Sequence, residues 1–283
     1  MPSSRIALAL LAACVVLAGC ATKSSSTSSA PASAAACTPA RLKTHTKGML
    51  TVATDQPAYP PYFISNNPAN GKGFESAVAY AIAKQLGFAP QAVKWTVEPF
   101  NSSYAPGPKD FDFDVNEISI TPVRAKQVDF SSPYYTANQA VVALPGTSAA
   151  NAKSLADLRD SETGVQVGTT SLDAVNREIE PTVQPKVFNT SNDVVTALKE
   201  HQVDAIVVDL PTALYLTSAQ VPSAKIAGQF GAPGGDKWGA LLQKGSPLTP
   251  CVSRALDQLR SSGQLASITN RWMSRAASAP LLR

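Results

Sequence analysis

The chain has 283 residues, 44% of them hydrophobic, with 24 Lys and Arg against 20 Asp and Glu and a formal net charge of +4 at pH 7. So mild a balance, with its basic residues scattered and not gathered into a stripe, excludes a surface built for nucleic acid. The length exceeds what one compact core comfortably holds and suits two lobes, and no CxxC or similar spacing calls for a metal or cofactor.

The N-terminus carries Arg5, an uncharged run from Ile6 to Leu17 and then LAGC at 17–20. A positive start, a short apolar core and small residues before a cysteine describe an export signal, and the apolar run is too short to span a bilayer. The LAGC ending resembles the lipobox of bacterial lipoproteins, which implies a signal peptide over 1–19 and lipid on Cys20. An ordinary secretory peptide cut nearby is the alternative. Residues 20–40, rich in Ser and Ala and poor in large apolar side chains, read as a flexible tether. Of the four cysteines, Cys14 leaves with the signal and Cys20 takes the lipid, so Cys37 and Cys251 remain in an oxidising compartment. Paired, they close a very long loop, worth roughly 4 to 5 kcal/mol in the chain-entropy picture; two free thiols are the alternative.

Met49 to Thr54 reads as a buried strand ending at Asp55. Phe74, Ala77, Val78, Ala81 and Ile82 then recur at helical spacing, and Gly87 is placed to stop that helix. Residues 92–98 form a second strand and Phe111 to Ile120 a third, an order that implies an α/β sheet. A second set begins at Gly164 to Val167. Ser191 or Asn192 caps a helix ending near His201, the strand 203–208 runs into Asp209, and Pro211 opens the next helix. Thr249 and Pro250 make a cap and first-turn pair before Val252, Ala255, Leu256 and Leu259, with Gly263 as the stop.

The most informative stretch is EISITPVRAKQVDFSSPYY at 117–135. On a strand, Ser119 and Thr121 share one face while Ile118 and Ile120 pack on the other. Pro122 suits the first turn of a short helix capped by Thr121, which puts Arg124 beside both hydroxyls. A planar guanidinium there matches a carboxylate in bidentate fashion, at about 1.5 to 3 kcal/mol per hydrogen bond. GTTS at 168–171 sits between a strand and a helix, where Thr169 or Thr170 either closes over the same anion or simply caps the helix. Asp209, at the end of an apolar strand, either meets an ammonium or caps the helix after it.

Together with LTVATDQPAYPPYF (50–63), GKGFESAVAYAIAKQLGF (71–88), EPF (98–100), GVQVGTTS (164–171) and VDAIVVDLPTALY (203–215), this run resembles the bacterial family 3 solute-binding proteins, the amino-acid receptors of ABC importers. The resemblance covers about residues 48–275. It implies an α/β, two-lobe, periplasmic-binding-protein-like fold of type II, each lobe a sheet flanked by helices with a hinged cleft between. Lobe 1 would be 41–135 plus 239–283 and lobe 2 140–231, with crossings at 135–140 and 232–238. It further implies a ligand's carboxylate on Ser119, Thr121 and Arg124, with Thr169 and Thr170 opposite, and its ammonium on Asp209. Tyr59 and Phe100 would sandwich its side chain, Asp55 would be an acid on the rim, and Asp204 would be structural.

Two departures stand out. One extra residue in DQPAYPPY leaves Tyr62 as the alternative to Tyr59, and Glu117 replaces the usual glycine. A third acid beside Asp55 and Asp209 disfavours acidic ligands, so a neutral polar or cationic amino acid, of the glutamine or arginine type, is expected. The expected protein is a monomeric, non-enzymatic lipoprotein at the outer face of the bacterial cytoplasmic membrane, with an ABC permease as partner and no cofactor. The alternatives are a cyclohexadienyl-dehydratase-like enzyme, with Glu117 its one unusual acid or base, and an amino-acid sensor for a signalling partner.

Overall fold

Ten strands form two five-stranded sheets in this computed structural model, which describes residues 37–231, 235–273 and 279–283. The expected signal peptide, the site of lipid on Cys20 and most of the tether lie outside the described residues. The first sheet contains β1 (Leu50–Thr54), β2 (Val93–Val97), β3 (Phe113–Asp114), β4 (Val128–Ala137) and, from far along the chain, β10 (Asp236–Gln243). Its order is β2-β1-β3-β10-β4, with β1 parallel to both neighbours and β10 antiparallel to β3 and β4. The second sheet contains β5 (Gln139–Ala143), β6 (Thr163–Gln166), β7 (Lys186–Phe188), β8 (Ala205–Asp209) and β9 (Lys225–Phe230), in the order β7-β6-β8-β5-β9.

Each sheet is covered on both faces, as parallel strands require. In β1, Leu50 and Val52 join a core with Phe74, Val78 and Ile82 of the helix Phe74–Gln85 and with Val252, Leu256 and Leu259 of the helix Thr249–Ser261. Ala53, on the other face, joins Phe111, Ile118, Val128 and Leu241. In β5, Ala140 and Val142 pack with Val194 and Leu198, while Val141 and Ala143 pack with Leu158, Val165 and Val175.

The chain passes from the first sheet to the second through Asn138 alone, and returns between Phe230 and Asp236. The last residues do not stay with the first sheet, where all of 239–283 was expected. Leu281 bridges Gln229 of β9, and Leu282 is buried in the second sheet's core. Gly228 makes the room, since a Cβ there would lie 2.5 Å from the Leu282 side chain.

Local expectations shifted at several ends. The third strand is only two residues long because Glu117 takes a left-handed conformation, φ 51°, which breaks the extended run; Ser119 keeps one bridge, to Trp238. The helix after Pro122 spans Arg124–Gln127, yet Thr121 Oγ1 still accepts from the Arg124 amide at 3.2 Å. Thr190, not Ser191 or Asn192, caps the helix Ser191–Lys199, in a reciprocal capping box with Asp193. Thr249 is the first residue of its helix and not its cap. Cys37 and Cys251 form a disulfide with Cα atoms 5.4 Å apart, so the last residues of the segment read as tether are fixed to the first sheet's core.

Gly73 precedes the helix Phe74–Gln85 with φ 106°, and a Cβ there would stand 2.2 Å from the Tyr62 carbonyl oxygen. Backbone on both sides of that clash leaves little room to yield. Gly73→Ala is expected to cost about 2 to 3 kcal/mol in urea unfolding; a loss below about 0.5 kcal/mol would show that the segment is free to move.

Candidate functional site

The C-terminal ends of β1 and β8, the loop after β3 and the turn after β6 converge on a cavity of about 410 Å³. Asp55, Tyr59, Phe100, Glu117, Ser119 and Arg124 reach it from the first sheet's side, and Thr169, Thr170 and Asp209 from the second's. Thr121 is the one expected ligand residue that is not part of the wall; its hydroxyl is held by the Arg124 amide, so its role is to set the turn. His45 and His201 do not line the cavity either.

Arg124 is 7% exposed and held from both sheets. One terminal nitrogen donates to the Ser119 carbonyl at 2.8 Å and the other to the Gly168 carbonyl at 2.9 Å. The guanidinium carbon sits 4.7 Å from the Tyr104 ring centroid and 5.4 Å from that of Phe100. A guanidinium has five N–H donors, so two carbonyl bonds and two aromatic faces fix its plane and leave donors for an anion. Burial pushes its pKa down, without bringing an arginine near neutrality. Ser119 Oγ lies 3.4 Å from Thr170 Oγ1 across the cleft. Thr169 is a helix cap, accepting from the Leu172 amide at 3.2 Å and donating to the Gln166 carbonyl at 2.8 Å.

Opposing this cation is a group of acids. Asp209 makes no capping bond to the helix that follows it; its Oδ1 instead accepts from Gln139 Nε2 at 2.7 Å. Burial first, then the charge of Asp236, pushes its pKa up to about 8. The same Gln139 nitrogen donates to Asp236 Oδ2 at 2.7 Å, and its oxygen accepts from Ser171 Oγ at 2.6 Å. Gln139 opens β5 and Asp236 opens β10, so one amide ties the two crossings to the cleft. Glu117 is raised well above the usual carboxylate range by burial, and further by Glu75, Asp209 and Asp55. Asp55, whose Oδ1 accepts from the Gln56 amide at 2.6 Å, is raised by burial too.

The two tyrosines divide the work expected of one. Tyr59 faces the other side of the cleft, its hydroxyl donating to Asn192 Oδ1 at 2.6 Å and its ring 6.2 Å from that of Tyr215. Tyr62 is buried, packed edge-on against Trp238, with its hydroxyl 2.7 Å from Thr212 Oγ1. Both line the cavity. Asp204 Oδ2 accepts from the Glu162 amide at 3.2 Å, away from the cavity wall. Tyr104, Gln139 and Glu75 were missed. Gln139 carried a visible signal, as a lone amide opening an otherwise apolar strand; Tyr104 carried none.

An arginine fork opposite carboxyl groups, with aromatic rings between, has the chemistry to hold a zwitterion. Among the described residues no three His, Cys, Asp or Glu side chains are grouped to hold a metal ion, and no helix is long and apolar enough to cross a membrane.

Residues 50–275 match the bacterial extracellular solute-binding proteins, family 3. The ABC transporter glutamine-binding protein GlnH of Bacillus subtilis (strain 168) is 28% identical over 95% of this chain and 96% of its own. The arginine-binding extracellular protein ArtP of the same organism is 29% identical over 71% of this chain and 78% of its own. Among solved structures, an ancestral arginine-binding protein bound to glutamine superposes with a TM-score of 0.67 at 33% identity, covering 81% of this chain and 99% of the other. Each is named for what it binds, not for a reaction.

Proposed function

We propose that this chain, which belongs to the bacterial extracellular solute-binding proteins of family 3, captures a neutral polar or cationic amino acid in its cleft and delivers it to the membrane permease of an ABC transporter. Arg124 takes the α-carboxylate, with Ser119 and Thr170 beside it, and Asp209 takes the ammonium. Phe100 and Tyr59 flank the side chain, with Asp55 at the rim. Lobes built on the two sheets close by bending at the crossings, one at Asn138 and the other on the return that ends at Asp236, and a lipid on Cys20 keeps the protein at the membrane.

The observation that carries this reading is the pose of Arg124. It is buried, oriented by carbonyls from both sheets, and faces a cavity whose other charged walls are acids. Closure is favoured because a ligand held from both sides lowers the closed state alone. The relatives' named ligands, arginine and glutamine, agree with the charge of the site.

Calorimetric titration with a panel of amino acids tests it. One-to-one binding of glutamine or arginine, with glutamate and aspartate at least about tenfold weaker, is the expected result, a difference of about 1.4 kcal/mol. Tight binding of glutamate with no response to glutamine or arginine would overturn the charge argument.

A further inference from the structure

Behind the cleft lies a set of acids that the capture of a zwitterion does not by itself require. Glu75, in the first turn of the helix Phe74–Gln85, is 0% exposed. Its Oε1 accepts from the Glu117 amide at 2.7 Å and from the Tyr134 hydroxyl. Its Oε2 is buried and meets no N–H or hydroxyl donor among the described residues. The Glu117 carboxyl, on the residue whose amide Glu75 holds, is raised by burial and then by the charge of Glu75. Two carboxyl groups bond only when one of them holds a proton, because two carboxylates have no donor between them.

Glu117 links this buried pair to the ligand. Its left-handed backbone turns its amide toward Glu75, and Glu117 lines the same cavity as Asp209. We propose that the Glu75–Glu117 pair is a proton-exchange site: it shares one proton before a ligand binds, and the ammonium of a captured amino acid replaces that proton, which leaves for solvent. This deepens the reading of the site given above and rests on it. The balance is one cation in, one proton out, with the Glu117 carboxylate left paired to the ammonium.

The surroundings favour the exchange. Facing the pair are Tyr134 of β4, Asp114 of β3, Asp55 at the end of β1, Tyr62 and, across the cleft, Asp209. The charged cations nearby belong to other acids: Arg124 acts on Asp209 and Lys109 on Asp114. Both oxygens of Asp114 are buried without a donor, so nothing there neutralises the pair. Burial holds Glu75 up at about 7. A raised carboxyl keeps its proton in the folded protein, so its contribution to stability is present at low pH and is lost as pH rises from about 4.5 through about 7. A bound ammonium reverses that sign, and ligand affinity rises over the same window.

The test is calorimetric titration of L-arginine and L-glutamine into the full chain at pH 6.5, in buffers of differing ionisation enthalpy, for the parent protein, Glu75→Gln and Glu117→Gly. The glutamine at 75 keeps an oxygen for Tyr134 and the Glu117 amide, and its nitrogen serves Glu117 without a proton. The glycine at 117 removes the carboxyl from a left-handed position that glycine adopts freely. The parent is expected to release about one proton per ligand more than either variant. Its affinity is expected to climb about tenfold more steeply per pH unit than theirs between about pH 5 and 7. Asp209 lies across the cleft in all three and the charge of Glu75 acts on it, so the count read is that of the whole acid group and the difference from the parent is what the pair contributes. Should Glu75→Gln fail to fold, Glu117→Gly decides alone. Equal proton counts in parent and variants overturn this proposal only, whereas a parent that binds no amino acid overturns it together with the proposed function.

Discussion

Arg124→Ala is expected to weaken amino-acid binding by a factor of about 10² to 10⁴. The estimate follows from two charge-assisted hydrogen bonds to a carboxylate at about 1.5 to 3 kcal/mol each. The true loss falls toward the upper end if closure fails as well, because the same side chain joins the Ser119 carbonyl to the Gly168 carbonyl across the cleft. Arg124→Lys separates charge from geometry. Lysine keeps the positive charge but has no planar fork, and two of its three donors spent on the carbonyls leave one for the anion, so it is expected to recover less than half of the lost binding free energy. The check is calorimetry on protein shown by thermal melting to be folded. Binding within threefold of the parent for Arg124→Ala would remove the arginine from the site.

Loss of the Cys37–Cys251 bridge carries the second large effect. It ties the start of the described chain to the first turn of the helix Thr249–Ser261 across a separation of 214 residues. Replacing both cysteines by serine is expected to lower stability by about 4 to 5 kcal/mol and the melting temperature by roughly 10 to 15 °C, through the loop entropy returned to the unfolded chain. Both sulfurs are buried against the core of the first sheet, and serine hydroxyls there add a desolvation cost. Melting with and without reductant measures it. A shift under about 3 °C would mean that the bridge constrains little of the unfolded ensemble. Neither cysteine lines the candidate site, so affinity at low temperature is expected to hold.

Short-range chemistry was readable from the residues, and contacts across the cleft were not. β1, β2, β6 and β8 follow from runs of apolar and β-branched residues, and the helix Phe74–Gln85 from its spacing and from Gly87, whose φ of 83° fits a helix stop. Arg124 beside Ser119 was legible because strand, turn and helix chemistry meet within a few residues. Glu117 was legible as a departure from family pattern, but its backbone effect was not. A left-handed residue shortened a strand that alternation alone extended to Ile120.

What alternation cannot carry is partnership between distant segments. Gln139 touches Asp209 and Asp236, separated from it by 70 and 97 positions. Tyr134 and Glu75 meet across 59. The burial of Glu75 is hidden because a glutamate in a first helical turn ordinarily faces water and favours the helix dipole. The tail at 279–283 crossed to the second sheet because Gly228 leaves space for Leu282, a fit that no local pattern encodes.

A crystal structure of the protein with glutamine or arginine in the cleft tests the central claim most directly. The account predicts the α-carboxylate within about 3 Å of the Arg124 guanidinium nitrogens, with the ammonium between Asp209 and Glu117. A ligand whose carboxylate sits elsewhere, with Arg124 bonded only to the two carbonyls it already holds, would contradict it.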